Sequence, residues 1–118
     1  MIVAGFGFST QATTDSFADA LAQHADAPDA LATLAEKADS LTAFAKSMNL
    51  TVIAVTQHQA AGQTTRTQSV RSSAEKGTPS VAEATALAAA GPGARLISTR
   101  SISQDRMATC AIAEGPDT

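Results

Sequence analysis

The sequence predicts an α/β protein, a three-layer α/β/α sandwich around a central, mostly parallel or mixed sheet of about five strands. Three observations carry this. Short β-branched and apolar runs alternate with segments whose apolar residues recur at helical spacing. Two strand-like runs close the chain with no helix between them. Gly, Pro and Asn fall mainly between these blocks, where turns belong.

The first strand opens at Met1-Ile2-Val3-Ala4 and ends in a glycine-containing turn, Gly5-Phe6-Gly7-Phe8. A helix follows, with Phe17, Ala20, Leu21 and His24 on one face and Thr13, Thr14 or Asp15 as its N-cap. Leu31 to Leu34 reads as a second strand. A second helix starts near Asp39-Ser40, places Leu41, Phe44, Ala45 and Met48 on one face, and ends at Asn49, a residue that tolerates the left-handed backbone. Thr51 to Val55 is the clearest strand, continuous and β-branched.

His58 to Thr67 is polar and reads as a surface loop with room for one helical turn; Ser69 to Glu75 reads as a short helix. The next helix begins after Gly77-Thr78-Pro79-Ser80 and is stopped by Gly91-Pro92-Gly93. Arg95 to Ser98 and Met107 to Ala113 are the last two strands, an antiparallel hairpin through Ser101 to Asp105. The early strands are expected to be parallel and internal. Residues 1–114 are expected to form one domain, with 115–118 a frayed tail.

Composition narrows the function. The 118 residues carry a formal net charge of -3, which argues against a nucleic-acid partner. Four Phe and no Trp or Tyr leave few stacking platforms for single strands. One cysteine, Cys110, excludes an internal disulfide, and with His24 and His58 it makes too few ligands for a Cys/His zinc site. No apolar run approaches the ~20 residues of a membrane span, and the N-terminus lacks the pattern of a secretory signal. The expectation is a cytoplasmic protein with no metal, cofactor, nucleic acid or membrane partner.

Three places suggest a site. Glycines at Gly5-Phe6-Gly7 let a backbone approach a ligand, with Ser9 beyond, although a tight strand-to-helix turn is the plainer explanation. A third dinucleotide-fingerprint glycine is missing, since position 10 is Thr10. Ser80 and Glu83 have capping-box spacing, with Pro79 after Thr78 as the alternative helix start; amides there, behind Gly77, make a second candidate anion site. Lys37, between Glu36 and Asp39, follows the second strand, where open sheets bind ligands; a solvated charge cluster is the plain alternative. His24 and His58 form no catalytic set, and Cys110 in an apolar strand behaves as a small hydrophobe.

The order of these motifs resembles the family of CobE and the C-terminal domain of CbiG. The match runs through Gly5-Phe6-Gly7, the Leu31-Ala32-Thr33 segment with Lys37 and Ala38, and Met107 to Ala113. Its most specific part is Gly77, Ser80, Val81, Glu83, Ala86 and Leu87, which fit the Gly-x-x-Ser-Val-x-Glu-x-x-Ala-Leu signature. The basic residue that often follows the family's glycine turn is absent, replaced here by Phe8-Ser9-Thr10. The resemblance implies the three-layer fold and a role in building the corrin ring. The expected ligand is a precorrin-type tetrapyrrole, with other corrin-pathway enzymes as protein partners. Gly5, Gly7, Ser9, Lys37, Gly77, Thr78, Ser80 and Glu83 are the candidate ligand-binding residues. Two activities stay open: a protein that binds a precorrin, or an enzyme that acts on the macrocycle, opening a lactone or assisting ring contraction, with Glu83, Glu36 or a histidine as base.

Overall fold

A computed structural model describes residues 1–61 and 81–115. Strand β1 runs Ile2–Phe8, helix α1 Thr14–Ala22, strand β2 Ala30–Leu34, helix α2 Ala38–Ser47 and strand β3 Val52–Val55. Helix α3 is Gln57–Ala61, helix α4 Val81–Ala90, strand β4 Arg95–Ile102 and strand β5 Ala108–Glu114. A single 3-10 turn, Ala35–Lys37, joins β2 to α2. The expected Ser69 to Glu75 helix and the loop beyond Ala61 lie outside the described residues.

The sheet has five strands in the order β3-β2-β1-β5-β4. β1, β2 and β3 are parallel; β5 runs antiparallel to β1 and to β4. It is therefore the mixed sheet that the closing hairpin requires. One expectation is corrected. β3, the strand with the strongest sequence signal, is an edge strand and not an internal one, and Ala54 on it is exposed. Its β-branched run reflects packing of Val52 and Val55 against helices on the two faces, which an edge position also demands.

Alternation along β1 sorts the two layers. Ala4 and Phe6 face α1 and α2, where they meet Phe17, Leu41, Phe44 and Ala45. All four phenylalanines gather there: Phe6–Phe17, Phe6–Phe44, Phe8–Phe17 and Phe17–Phe44 centroids lie 4.8 to 6.0 Å apart, three of the pairs edge-to-face. Val3 and Gly5 face α4.

Helix α4 is mostly alanine and is buried around its whole circumference: residues 82 to 87 are all buried, Glu83 and Thr85 included. Its backbone lies directly on β1. A Cβ built on Gly5 would stand 2.2 Å from the Ala82 carbonyl oxygen and 2.5 Å from the Ala86 nitrogen. This corrects the expected glycine turn. Gly5-Phe6-Gly7 are inside the strand, and Gly5 is there for a helix, not for a ligand. β4 and the tail also depart from expectation. β4 extends to Ile102, so Ser101 belongs to the strand and the hairpin loop spans 103–107. Gly115, expected in a frayed tail, is buried and donates its N–H to the Met1 carbonyl at 2.9 Å; 116–118 lie outside the described residues.

Several turn signals act as the sequence suggests. Asn49 has φ 59, and Gly91 and Gly93 have φ 101 and 81. Thr13 is the N-cap of α1, its N–H donating to Ser16 Oγ at 3.1 Å. Ser16 Oγ in turn donates to Asp105 Oδ2 at 2.6 Å, tying this helix start to the hairpin loop. Asp105 also accepts from Ser103 Oγ at 2.5 Å and Met107 N–H at 3.0 Å. The Ser103 hydroxyl, then Ser16 and the Met107 amide, hold its carboxyl below the usual carboxylate range.

Two predictions follow from these contacts. Gly5→Ala should lower the urea unfolding free energy by roughly 1–3 kcal/mol or more, because the clashing atoms are backbone and cannot rotate away. Gly7→Ala should cost less, since its contacts are side chains at 3.0 and 3.1 Å. Equal stability of Gly5→Ala and wild type would refute the close approach. Because the Asp105 carboxyl is lowered in the fold, its stabilisation is present above its unfolded value of about 3.9 and is lost as pH falls through it. Asp105→Asn should therefore be less stable than wild type at neutral pH, with the gap closing on acidification below about pH 4. A gap that stays constant with pH would contradict this.

Candidate functional site

β1 and β2 are parallel, so their C-terminal ends, the start of α2 and the 3-10 turn lie on one rim of the sheet. The rim holds a cleft of about 260 Å³ lined by Phe8, Thr10, Glu36, Lys37 and Ser40. Lys37 ends the 3-10 turn and serves as N-cap residue of α2, an arrangement that turns the chain back across the end of β1. Its Nζ donates to the Phe8 carbonyl and sits 5.1 Å from the centre of the Phe8 ring. An ammonium has three N–H donors, so a hydrogen bond to one carbonyl leaves capacity for an anion. Thr10 and Ser40 are exposed hydroxyls beside it. Glu36 forms another wall; its Oε1 accepts from Gln57 Nε2 at 2.8 Å, which links the ends of β2 and β3.

The expected site residues divide. Lys37 lines the cleft. Ser9 lies between the lining residues Phe8 and Thr10, but its N–H donates to the Met107 carbonyl at 2.9 Å and its hydroxyl to Met107 Sδ at 3.3 Å, so it fastens β1 to the hairpin. Gly5 is covered by α4. Gly7 is at the rim end of β1, yet its open face is filled by Val81 and Thr109 and it does not line the cleft. Glu83 is fully buried and its Oε2 accepts from the Arg100 N–H at 3.1 Å, which places it against β4. Gly77, Thr78 and Ser80 lie outside the described residues, but Val81 against Gly7 puts the N-terminal end of α4 on the same rim.

Phe8, Thr10 and Ser40 were not singled out from sequence as lining residues. Phe8 read as turn, and isolated exposed hydroxyls carry no signal until the strand ends are aligned. His24 lies elsewhere: Nε2 donates to the Cys110 carbonyl at 2.9 Å, near Ser101 Oγ at 3.0 Å. Burial pushes the Cys110 thiol up, which keeps it protonated and unreactive.

A second cleft, about 310 Å³, lies at the other end of α4 between Gln59, Leu87, Ala88 and residues 91–94. Among the described residues it is lined by no charged side chain, and it faces the helix end whose carbonyls carry partial negative charge. Of these two clefts, the one at the Lys37 rim offers a cation, with Glu36 beside it. Among the described residues no group of acidic, His and Cys side chains is arranged to hold a metal, and no helix is long and apolar enough to cross a membrane.

Comparisons with known proteins agree with this architecture. A family model described as cobalamin synthesis G C-terminus matches residues 2–113. The crystal structure of a cobalamin biosynthesis protein, chiG, from Agrobacterium tumefaciens str. C58 is similar, with 35% identity and TM-score 0.76 over 99% of this chain and 100% of that one. CobE, a protein from the cobalamin (vitamin B12) biosynthetic pathway, shares the fold at TM-score 0.81 and 24% identity, over 96% of this chain and 92% of that one. A putative cobalamin biosynthesis protein G homolog from Sulfolobus solfataricus also shares it, at TM-score 0.70 and 21% identity; the match covers 95% of this chain but 36% of that one. A search of curated protein sequences found no significant match.

Lys37 has a structural task separable from any ligand. Lys37→Met should reduce stability by about 0.5–1.5 kcal/mol through loss of the Phe8 carbonyl bond, measured by urea unfolding, while leaving the circular dichroism spectrum unchanged. A cooperative fold of unaltered stability would show that the contact with Phe8 holds nothing.

Proposed function

The chain belongs to the cobalamin synthesis G C-terminus family, and from that premise we propose that it binds a precorrin-type tetrapyrrole through carboxylates received at the Lys37 rim. It is a cobalamin biosynthesis protein, and such macrocycles carry several acetate and propionate side chains. The observation that carries the reading is the fixed position of Lys37: its ammonium is anchored on the Phe8 carbonyl and ring at the mouth of a cleft, with hydroxyls of Thr10 and Ser40 alongside. Charge-assisted bonds to a carboxylate are the strongest that such a set offers. The N-terminal end of α4 on the same rim adds positive dipole character.

Lys37 also answers the missing basic residue after Phe8, because it delivers a cation to the same end of β1 from the neighbouring strand. Gly5, Gly7 and Ser9 support the rim from behind. The protein is expected to work in the cytoplasm, with other enzymes of the pathway delivering or receiving the macrocycle. The reading as an enzyme on the macrocycle needs a base at the cleft. Of the candidates, Glu83 lies against β4 and His24 beneath the hairpin, so Glu36 alone of these three lines it.

Titration of the purified chain with a precorrin intermediate, followed by absorbance, tests the proposal. Lys37→Glu should weaken binding by ~1–3 kcal/mol and leave the fold intact. Unchanged affinity in Lys37→Glu would overturn the site. Conversion of the macrocycle by wild-type protein alone would favour the enzyme instead.

A further inference from the structure

The cleft contains an anion as well as a cation. Glu36 precedes Lys37 in the same 3-10 turn, and both line the cleft. The Glu36 carboxylate is not a loose surface charge. Gln57, at the start of α3, donates to Oε1 at 2.8 Å and fixes it on the wall nearest β3. Among the described residues the charged side chains lining this cleft are Lys37 and Glu36, whose charges cancel. A site meant for several carboxylates together gains nothing from a pinned carboxylate. It accepts one carboxylate at Lys37 and resists a second beside it, while offering an acceptor to a neutral N–H donor.

We propose that Glu36 is a specificity-determining residue that limits the cleft to one carboxylate and favours a ligand edge carrying an amide or other N–H donor next to it. This rests on the carboxylate-binding reading of the Lys37 rim. The carboxylate of Glu36 repels a second ligand carboxylate across the cleft, and like charges at an exposed site oppose each other most at low salt. A ligand amide loses nothing in that position, because its N–H is donated to the free lone pairs of Glu36.

Glu36→Gln is the appropriate variant. It removes the charge, is close to isosteric, and its amide oxygen retains the acceptor for Gln57. Two probes are titrated into wild type and variant: a corrin polycarboxylate, and the same macrocycle with its acetate side chains converted to amides. The variant should bind the polycarboxylate about two- to fivefold more tightly at low salt, with the gain fading as salt is raised through the physiological range. Affinity for the amide derivative should stay the same or fall. A wild type that binds both probes while Glu36→Gln leaves polycarboxylate affinity unchanged or weaker overturns this proposal alone. A wild type that binds neither overturns the reading of the rim, and this proposal with it.

Discussion

The contact on which the rest of the structure depends is the seating of α4 on β1 at Gly5. Helix and strand ordinarily keep a side chain between them; here Ala82, Thr85 and Ala86 touch the strand where it has no Cβ. Two consequences follow. The layer beneath α4 is rich in alanine, Ala32, Ala111 and Ala113 from the sheet against Ala82, Ala84 and Ala86 from the helix, with Val3, Val55 and Leu96 beside them. The opposite face takes the bulk instead, with the four phenylalanines between β1, α1 and α2. The alanine-rich composition is therefore a packing requirement of one layer, not weakness of the core.

The same contact fixes which elements share one edge of the sheet. With α4 locked along β1, its first described turn stands over Gly7 at the strand's C-terminal end. The parallel pairing of β1 with β2 brings Lys37 to that end as well. Helix N-termini and a lysine then share one rim, while the carbonyl end of α4 lies at the far side, with the cleft whose described lining carries no charge. Of these two clefts, the one at the Lys37 rim carries charged side chains, Glu36 and Lys37.

Much of this is legible in the sequence, for definite reasons. The alternation of strand runs with helical periods yields the layers, and Asn49, Gly91 and Gly93 mark turns because their backbones need positive φ. The position of Lys37 is legible because a residue just past a parallel strand must lie on the rim formed by the strand ends. The glycines misled, since a Gly that admits a ligand and a Gly that admits a helix look alike until the partner is known. β3 misled in another way: two-sided burial makes its residues β-branched whether or not another strand flanks it. Glu83 fits a helix-start signature, yet one oxygen serves Arg100 on a strand distant in sequence, a pairing that local spacing cannot disclose. Phe8, Thr10 and Ser40 gain meaning only once three chain segments meet.

Whether the rim or some other surface receives the macrocycle is decided most directly by mapping backbone amide shifts in labelled protein as a precorrin is added. The account predicts that the largest perturbations fall on residues 8–10 and 36–40, with little change around Arg95 and Glu114 at the opposite end of the sheet. Perturbations centred on Gln59, Leu87 and residues 91–94, with the Lys37 rim unmoved, would contradict it.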